Sequence, residues 1–201
     1  MIRLLLADDQ ALVRGALAAL LDLESDLEVV SQVGRGDEVV TAAREARVDV
    51  ALLDVEMPGL DGIATAAALT QALPGCRSLI VTTFGRPGYL RRALDAGASG
   101  FVVKDTPSGE LADAVRRVHA GLRVVDPDLA VASLTIGSSP LTDQEARVLV
   151  LAADGGTAAQ IAHEAHLSEG TVRNYLSSAM GKSGARTRAE AVRVAQDNGW
   201  L

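Results

Sequence analysis

Short, largely apolar runs at Ile2–Ala7, Leu27–Val33, Val50–Leu53, Ser78–Thr82 and Phe101–Val103 alternate with longer segments of helical periodicity through residue 121. Strands alternating with helices require right-handed crossovers and a parallel sheet with helices on both faces. The third run sets the centre of that sheet. Val50–Leu53 is too short for a buried helix and too apolar for a half-exposed strand, so it reads as a central strand covered on both sides. It delivers Asp54 to its carboxyl end, the edge at which open α/β sheets place their ligands. Met57-Pro58-Gly59 then turns the chain, because Pro58 fixes φ and lacks a donor while Gly59 tolerates positive φ. The expected class is α/β, a doubly wound five-stranded parallel sheet.

The intervening helices are predicted from apolar spacing. Gln10–Asp22 carries Leu12, Val13, Ala16, Leu17, Leu20 and Leu21 at helical intervals, and Asp37 is expected to cap a helix that buries Val39, Val40 and Ala43. Further helices are expected over Asp61–Ala72, Gly88–Ala96 and Ser108–Ala120, the last with Gly121 as its C-cap. From Leu122 to Ser139 the periodicity is lost and Pro127, Gly137, Ser138, Ser139 and Pro140 punctuate the chain. Four short helical patterns follow, at Thr142–Ala153, Thr157–Ala165, Ser168–Met180 and Thr187–Asn198. The reading is a first domain over 1–121, a linker over 122–139 and an all-α domain over 140–201.

Charge and cysteine content narrow the setting. With 19 basic against 26 acidic residues the net charge is -7, which argues against wholesale attraction to nucleic acid or an anionic membrane. Cys76 is the single cysteine, so no intramolecular disulfide forms and a reducing compartment is the simpler setting. The opening MIRLLLADD has too short an apolar stretch for a signal peptide or a spanning helix, so a cytoplasmic protein with no membrane partner is expected.

In a parallel sheet Asp8-Asp9, Asp54, Thr82 and Lys104, each at the end of its own strand, gather on one edge. Carboxylates in reach of one another repel, and Mg²⁺ relieves this by taking one or two carboxylates, water and a phosphate oxygen. Asp54 is then the candidate nucleophile that forms an aspartyl phosphate, with the Thr82 hydroxyl and the Lys104 ammonium serving the phosphoryl oxygens. Taken singly, these residues have plainer readings: Asp8 or Asp9 as a helix N-cap, Thr82 as a β-branched strand residue, Lys104 as a solvated charge, Phe101 as core.

The ordered set resembles the receiver domain of two-component response regulators, on Asp8-Asp9, on Asp54 within LLDVEMPGLDG, on Thr82 in LIVTT and on Lys104 in GFVVKD. The resemblance implies strand order 2-1-3-4-5. It also implies Asp9 and Asp54 as direct metal ligands, the backbone carbonyl of Glu56 as a third and Asp8 acting mostly through water. Phe101 matches the aromatic that swings inward when Thr82 moves toward the phosphoryl group. Thr83 departs from the alanine or glycine usual beside the phosphate.

In the second domain Thr142 and Glu145 have the spacing of a capping box. Ala158–Ala162 and His166–Val172 read as helix, tight turn and a second helix capped by Ser168, a helix-turn-helix. This stretch resembles the LuxR-type DNA-binding domain of the NarL/FixJ family, and TTFGRPGY resembles the DesR-like subgroup, whose partners are DesK-like kinases. By that resemblance Arg173, Asn174 and Ser177 project toward the major groove, while Thr171, Lys182, Arg186 and Arg188 serve the DNA backbone or neighbouring structure. Arg173, Lys182, Arg186, Arg188 and Arg193 face only Glu190 between positions 173 and 193, a local excess of positive charge. Tyr175 stands in place of a usual histidine, and Gly181 falls near the recognition helix's end.

The expected function is a DNA-binding transcriptional regulator, not an enzyme, that a sensor histidine kinase phosphorylates at Asp54. The expected partners are that kinase, double-stranded promoter DNA, a second copy of the chain and RNA polymerase. Two alternatives stand beside it. One is a haloacid-dehalogenase-like phosphatase, which wants an aspartate where Glu56 stands; the other is a regulator that works without phosphorylation.

Overall fold

A computed structural model describes residues 1–83, 85, 87–127, 129–131, 139–153 and 155–201. Phe84 and Arg86 of the 84–96 segment, and residues 128 and 132–138 of the expected linker, lie outside the described residues. The chain divides into two compact units, the first holding Met1–Gly85 and Leu90–Ala130, the second the helices from Asp143 onward.

Up to residue 119 the chain alternates β1 (Ile2–Ala7), α1 (Ala11–Leu21), β2 (Leu27–Val33), α2 (Val39–Glu45), β3 (Val50–Leu53), α3 (Gly62–Ala72), β4 (Arg77–Thr82), α4 (Pro87–Asp95), β5 (Gly100–Val103) and α5 (Ser108–His119). All pairings are parallel, and the strand order is β2-β1-β3-β4-β5-β6. The sheet therefore has six strands where five were expected. The extra one, β6 (Val124–Val125), lies inside the expected linker and pairs with Gly100 and Phe101 of β5. Two residues are too few to show a period, so β6 left no pattern in the sequence.

All four side chains of β3 are buried, as a central strand requires. One face of the sheet, with Leu4, Leu6, Leu52, Leu79 and Val81, packs with Ala18 and Leu21 of α1 and Leu111, Val115 and Val118 of α5. Leu5, Leu53, Ile80 and Phe101, which alternate with these along their strands, are equally buried toward the other side.

Two local expectations change. Asp37 does not cap α2: its carboxylate accepts from Arg35 Nε at 3.0 Å and Nη2 at 2.8 Å, and a short 3₁₀ turn over Gly36–Glu38 precedes the helix. On α1, Leu12 is 86% exposed and Leu20 43%, while Ala18 and Leu21 are the buried positions. Asp61 does cap α3, accepting from Ala64 N at 2.7 Å, and Gly59 takes φ +83° in the preceding turn.

The second unit is α6 (Asp143–Ala153), α7 (Ala158–Ala165), α8 (Glu169–Ser183) and α9 (Arg188–Asp197). Its core is Val148, Leu149, Ile161, Val172, Ala179, Ala191 and Ala195, aliphatic and small-residue packing as the low aromatic content requires. No helix among the described residues is long and apolar enough to cross a membrane.

Candidate functional site

The ends of the strands are locked together by main-chain hydrogen bonds. Asp8 N donates to Val33 O at 3.2 Å, Asp54 N to Ala7 O at 2.8 Å and Lys104 N to Thr82 O at 2.7 Å. Register places Ala7 beside Leu53, Leu53 beside Ile80 and Thr82 beside Val103. Asp8, Asp54, Thr82 and Lys104 thus emerge on one edge, Asp8 level with Asp54 and the ends of β4 and β5 reaching slightly further.

Asp8 and Asp54 are nearly fully buried, and Lys104 lies between them, its Nζ 2.7 Å from Asp8 Oδ2 and 3.0 Å from Asp54 Oδ2. The second oxygen of each carboxylate is also held: Asp8 Oδ1 accepts from Gln10 N and Asp54 Oδ1 from Val55 N, both at 2.8 Å. Burial pushes the Asp54 carboxyl up against the pull of the Lys104 ammonium. Burial also works to lower Lys104, but the two carboxylates outweigh it and keep the ammonium charged. Thr82 is buried at the end of β4, and Phe101 is completely buried on β5.

Asp9 is exposed at the mouth of the site, yet a carboxylate oxygen from each of Asp8, Asp9 and Asp54 lies within 4.8 Å of the others. Three carboxylates against one ammonium leave an excess of negative charge, a donor set of hard oxygens that fits a small divalent cation. Glu56 is exposed in the loop after β3. That loop is tied down at both ends, by Gly36 N donating to Pro58 O at 3.1 Å and by Gly62 N donating to Val55 O at 3.0 Å. Gly62 permits the close return, since a Cβ there would sit 2.0 Å from the carbonyl oxygen of Asp54.

One site residue carries no sequence motif. Arg14, on α1, donates from Nη1 to the backbone carbonyl of Asp8.

In the second unit Ser168 caps α8, accepting from Thr171 N at 3.1 Å and sharing a 2.8 Å hydrogen bond with the Thr171 hydroxyl. Arg173, Asn174 and Ser177 are exposed on α8, which runs through Gly181 to Ser183 and ends at Gly184 with φ +67°. The basic residues are less free than a count of charges between 173 and 193 suggests. Arg173 pairs with Glu169 at 2.7 Å, Lys182 with the buried Glu145 at 2.7 Å, and Arg188 donates to Gly156 O at 2.6 Å. Arg186 is exposed, and its N–H donates to Glu190 Oε2 at 2.8 Å. Tyr175 packs against the domain core.

Comparison with known proteins agrees with both halves of this geometry. Residues 4–116 match the response regulator receiver domain, and residues 139–195 match bacterial regulatory proteins of the luxR family. The chain belongs to the response regulators with a LuxR-type DNA-binding domain. It is 42% identical to the transcriptional regulatory protein DesR of Bacillus subtilis over 201 residues, covering 100% of each chain. It is 43% identical to the transcriptional regulatory protein YvfU of the same organism over 203 residues, again covering 100% of each. Among solved structures, the response regulator ChrA of a heme-sensing two-component system aligns at a TM-score of 0.60 with 32% identity, over 100% of this chain and 98% of that one. The family is one of DNA-binding transcriptional regulators rather than enzymes, which removes the phosphatase alternative.

Proposed function

We propose that this regulator is switched by phosphorylation of Asp54, with a sensor histidine kinase as donor and promoter DNA as the target of its output. The observation that carries the reading is the placement of Lys104 between Asp8 and Asp54 on the edge where Asp9 and Thr82 also lie. An Asp54 oxygen forms the new bond to phosphorus as the donor's bond breaks, and Lys104 moves from neutralising a carboxylate to neutralising the phosphoryl group. Asp8, Asp9, Asp54 and the Glu56 carbonyl would hold Mg²⁺, which supplies charge neutralisation at the phosphoryl oxygens.

The Thr82 hydroxyl would meet a phosphoryl oxygen, drawing the end of β4 inward. Phe101 is fully buried here. Its burial on β5, beside β4, supports its reading as the aromatic that responds to Thr82. The output would be a dimer of chains presenting two α8 helices to paired half-sites, with Arg173, Asn174 and Ser177 toward the bases. Thr171 and Arg186 would serve the phosphates, and Lys182 and Arg188 principally hold neighbouring structure. A cytoplasmic setting and contact with RNA polymerase accompany this reading.

Incubation with Mg²⁺ and acetyl phosphate tests it. A single covalent phosphoryl adduct is expected on the wild-type chain and none on Asp54→Asn, with dimer formation and DNA affinity rising only in the wild type. An unmodified wild-type chain, or an adduct that persists in Asp54→Asn, would contradict the assignment.

A further inference from the structure

Next to the Asp54 constellation lies a cation, Arg14, that the site's chemistry so far leaves unused. Arg14 Nη1 holds the main chain of Asp8, but its Nε is buried without a hydrogen-bond partner among the described residues. A buried cationic donor left unpaired is costly, and native structures retain few of them without a reason. Arg14 also lines a cavity of about 10 Å³ whose other walls include Asp8, Asp54, Leu17, Leu52 and Val81. That is room for about one water, and polar groups on its wall are what a buried water needs. Arg14 thus shares a cavity wall with two of the site's carboxylates, Asp8 and Asp54, and is anchored by the Asp8 main chain rather than by an ion pair to either.

The charge count says when such a cation is needed. Asp8, Asp9 and Asp54 against Lys104 and one divalent metal ion are already neutral. Converting the Asp54 carboxylate to an acyl phosphate adds a further negative charge that none of these groups offsets. Arg14 carries the missing positive charge, rigidly anchored and always protonated. Resting on the phosphoacceptor reading of Asp54, we propose that Arg14 is a second positioning cation of the site. It braces Asp8 through Nη1 and offsets the phosphoryl charge through Nε and a water in the adjoining cavity.

The two roles separate in one experiment on the full chain. Mg²⁺ binding alone and beryllofluoride binding at saturating Mg²⁺ are measured for wild type, Asp54→Asn, Arg14→Gln and Arg14→Lys. In Arg14→Gln the lost brace on Asp8 and the lost nearby positive charge act in opposite directions on Mg²⁺, so Mg²⁺ binding should stay within about threefold while the half-saturating beryllofluoride concentration rises about tenfold. Arg14→Lys keeps the positive charge and should stay within about threefold of wild type for both. Equal weakening of Mg²⁺ and beryllofluoride in Arg14→Gln would reduce Arg14 to a brace, and no change in either would remove it from the site; both overturn the proposal. If Arg14→Gln does not fold, Arg14→Lys decides, because a loss of about tenfold there contradicts a role carried by charge. A wild-type chain that takes no beryllofluoride would instead overturn the phosphoacceptor reading itself, whereas a wild type that binds it alongside an Arg14→Gln that binds it equally overturns only the role of Arg14.

Discussion

Glycines of similar appearance in the sequence have opposite meanings once their surroundings are known. At Gly62 a Cβ would lie 2.0 Å from Asp54 O and 2.8 Å from Asp54 C, main-chain atoms that cannot move without shifting Asp54 itself. At Gly15, in the middle of α1, a Cβ meets nothing within 4 Å. Gly62→Ala is therefore expected to destabilise the first unit by about 1–3 kcal/mol and to reduce beryllofluoride uptake. Gly15→Ala is expected to stabilise the chain by about 0.5–1 kcal/mol and leave uptake unchanged, since it removes only the entropic cost of glycine in a helix. Thermal denaturation with beryllofluoride titration of both variants checks the pair. Equal behaviour of the two would contradict the close return of α3 onto Asp54.

At the scale of elements, Glu145 ties the second unit together. Besides completing the capping box with Thr142, it accepts from Ser178 Oγ at 2.6 Å and Lys182 Nζ at 2.7 Å, joining the start of α6 to α8. Burial pushes its carboxyl up, but Lys182, Ser178 and Thr142 prevail and hold it down at about 2, against an ordinary value of 4.5. A carboxyl depressed in the folded state contributes stability above its unfolded value and loses it as the pH falls through the folded one. The second unit should thus weaken between about pH 4.5 and pH 2. Trp200, the only tryptophan and packed on that unit's core, reports its unfolding selectively by fluorescence. Glu145→Gln should abolish this part of the acid dependence and cost about 1–3 kcal/mol at neutral pH, because Lys182 loses its buried partner. The capping box was legible in the sequence because its residues are three apart. The links to Ser178 and Lys182, 33 and 37 residues away, were not. The same limit explains the basic segment, where Glu169 and Glu145 reach in from outside the window that was counted. On α1, nearly every residue is apolar, so the helical spacing fitted more than one phase and did not tell exposed Leu12 and Leu20 from buried Ala18 and Leu21. The strand ends fared better, since parallel topology alone brings Asp8, Asp54, Thr82 and Lys104 to one edge. Arg14 was invisible because its partner is a backbone carbonyl, which has no letter in the sequence.

For the whole molecule, charge limits how phosphorylation can act on DNA. The segment from Pro140 onward holds six basic and seven acidic residues, and the entire chain carries -7. Several of its cations are already engaged by Glu169, Glu145 or backbone carbonyls. A phosphoryl group with its metal ion changes the net charge by about one unit, and salt screens that change beyond a Debye length of roughly 8 Å. Electrostatics alone therefore supplies no tenfold gain in DNA affinity. On the proposed function the gain comes instead from joining two α8 helices on one duplex, where the second contact becomes intramolecular. Beryllofluoride with Mg²⁺ is accordingly expected to leave affinity for DNA with a single half-site within about twofold. It should raise affinity at least about tenfold for two half-sites spaced by one helical turn. Binding isotherms on both duplexes at several salt concentrations, with Asp54→Asn as control, separate this mechanism from its rival. If activation instead uncovers α8 within each chain, the single half-site gains as much as the pair, and the two duplexes respond in parallel.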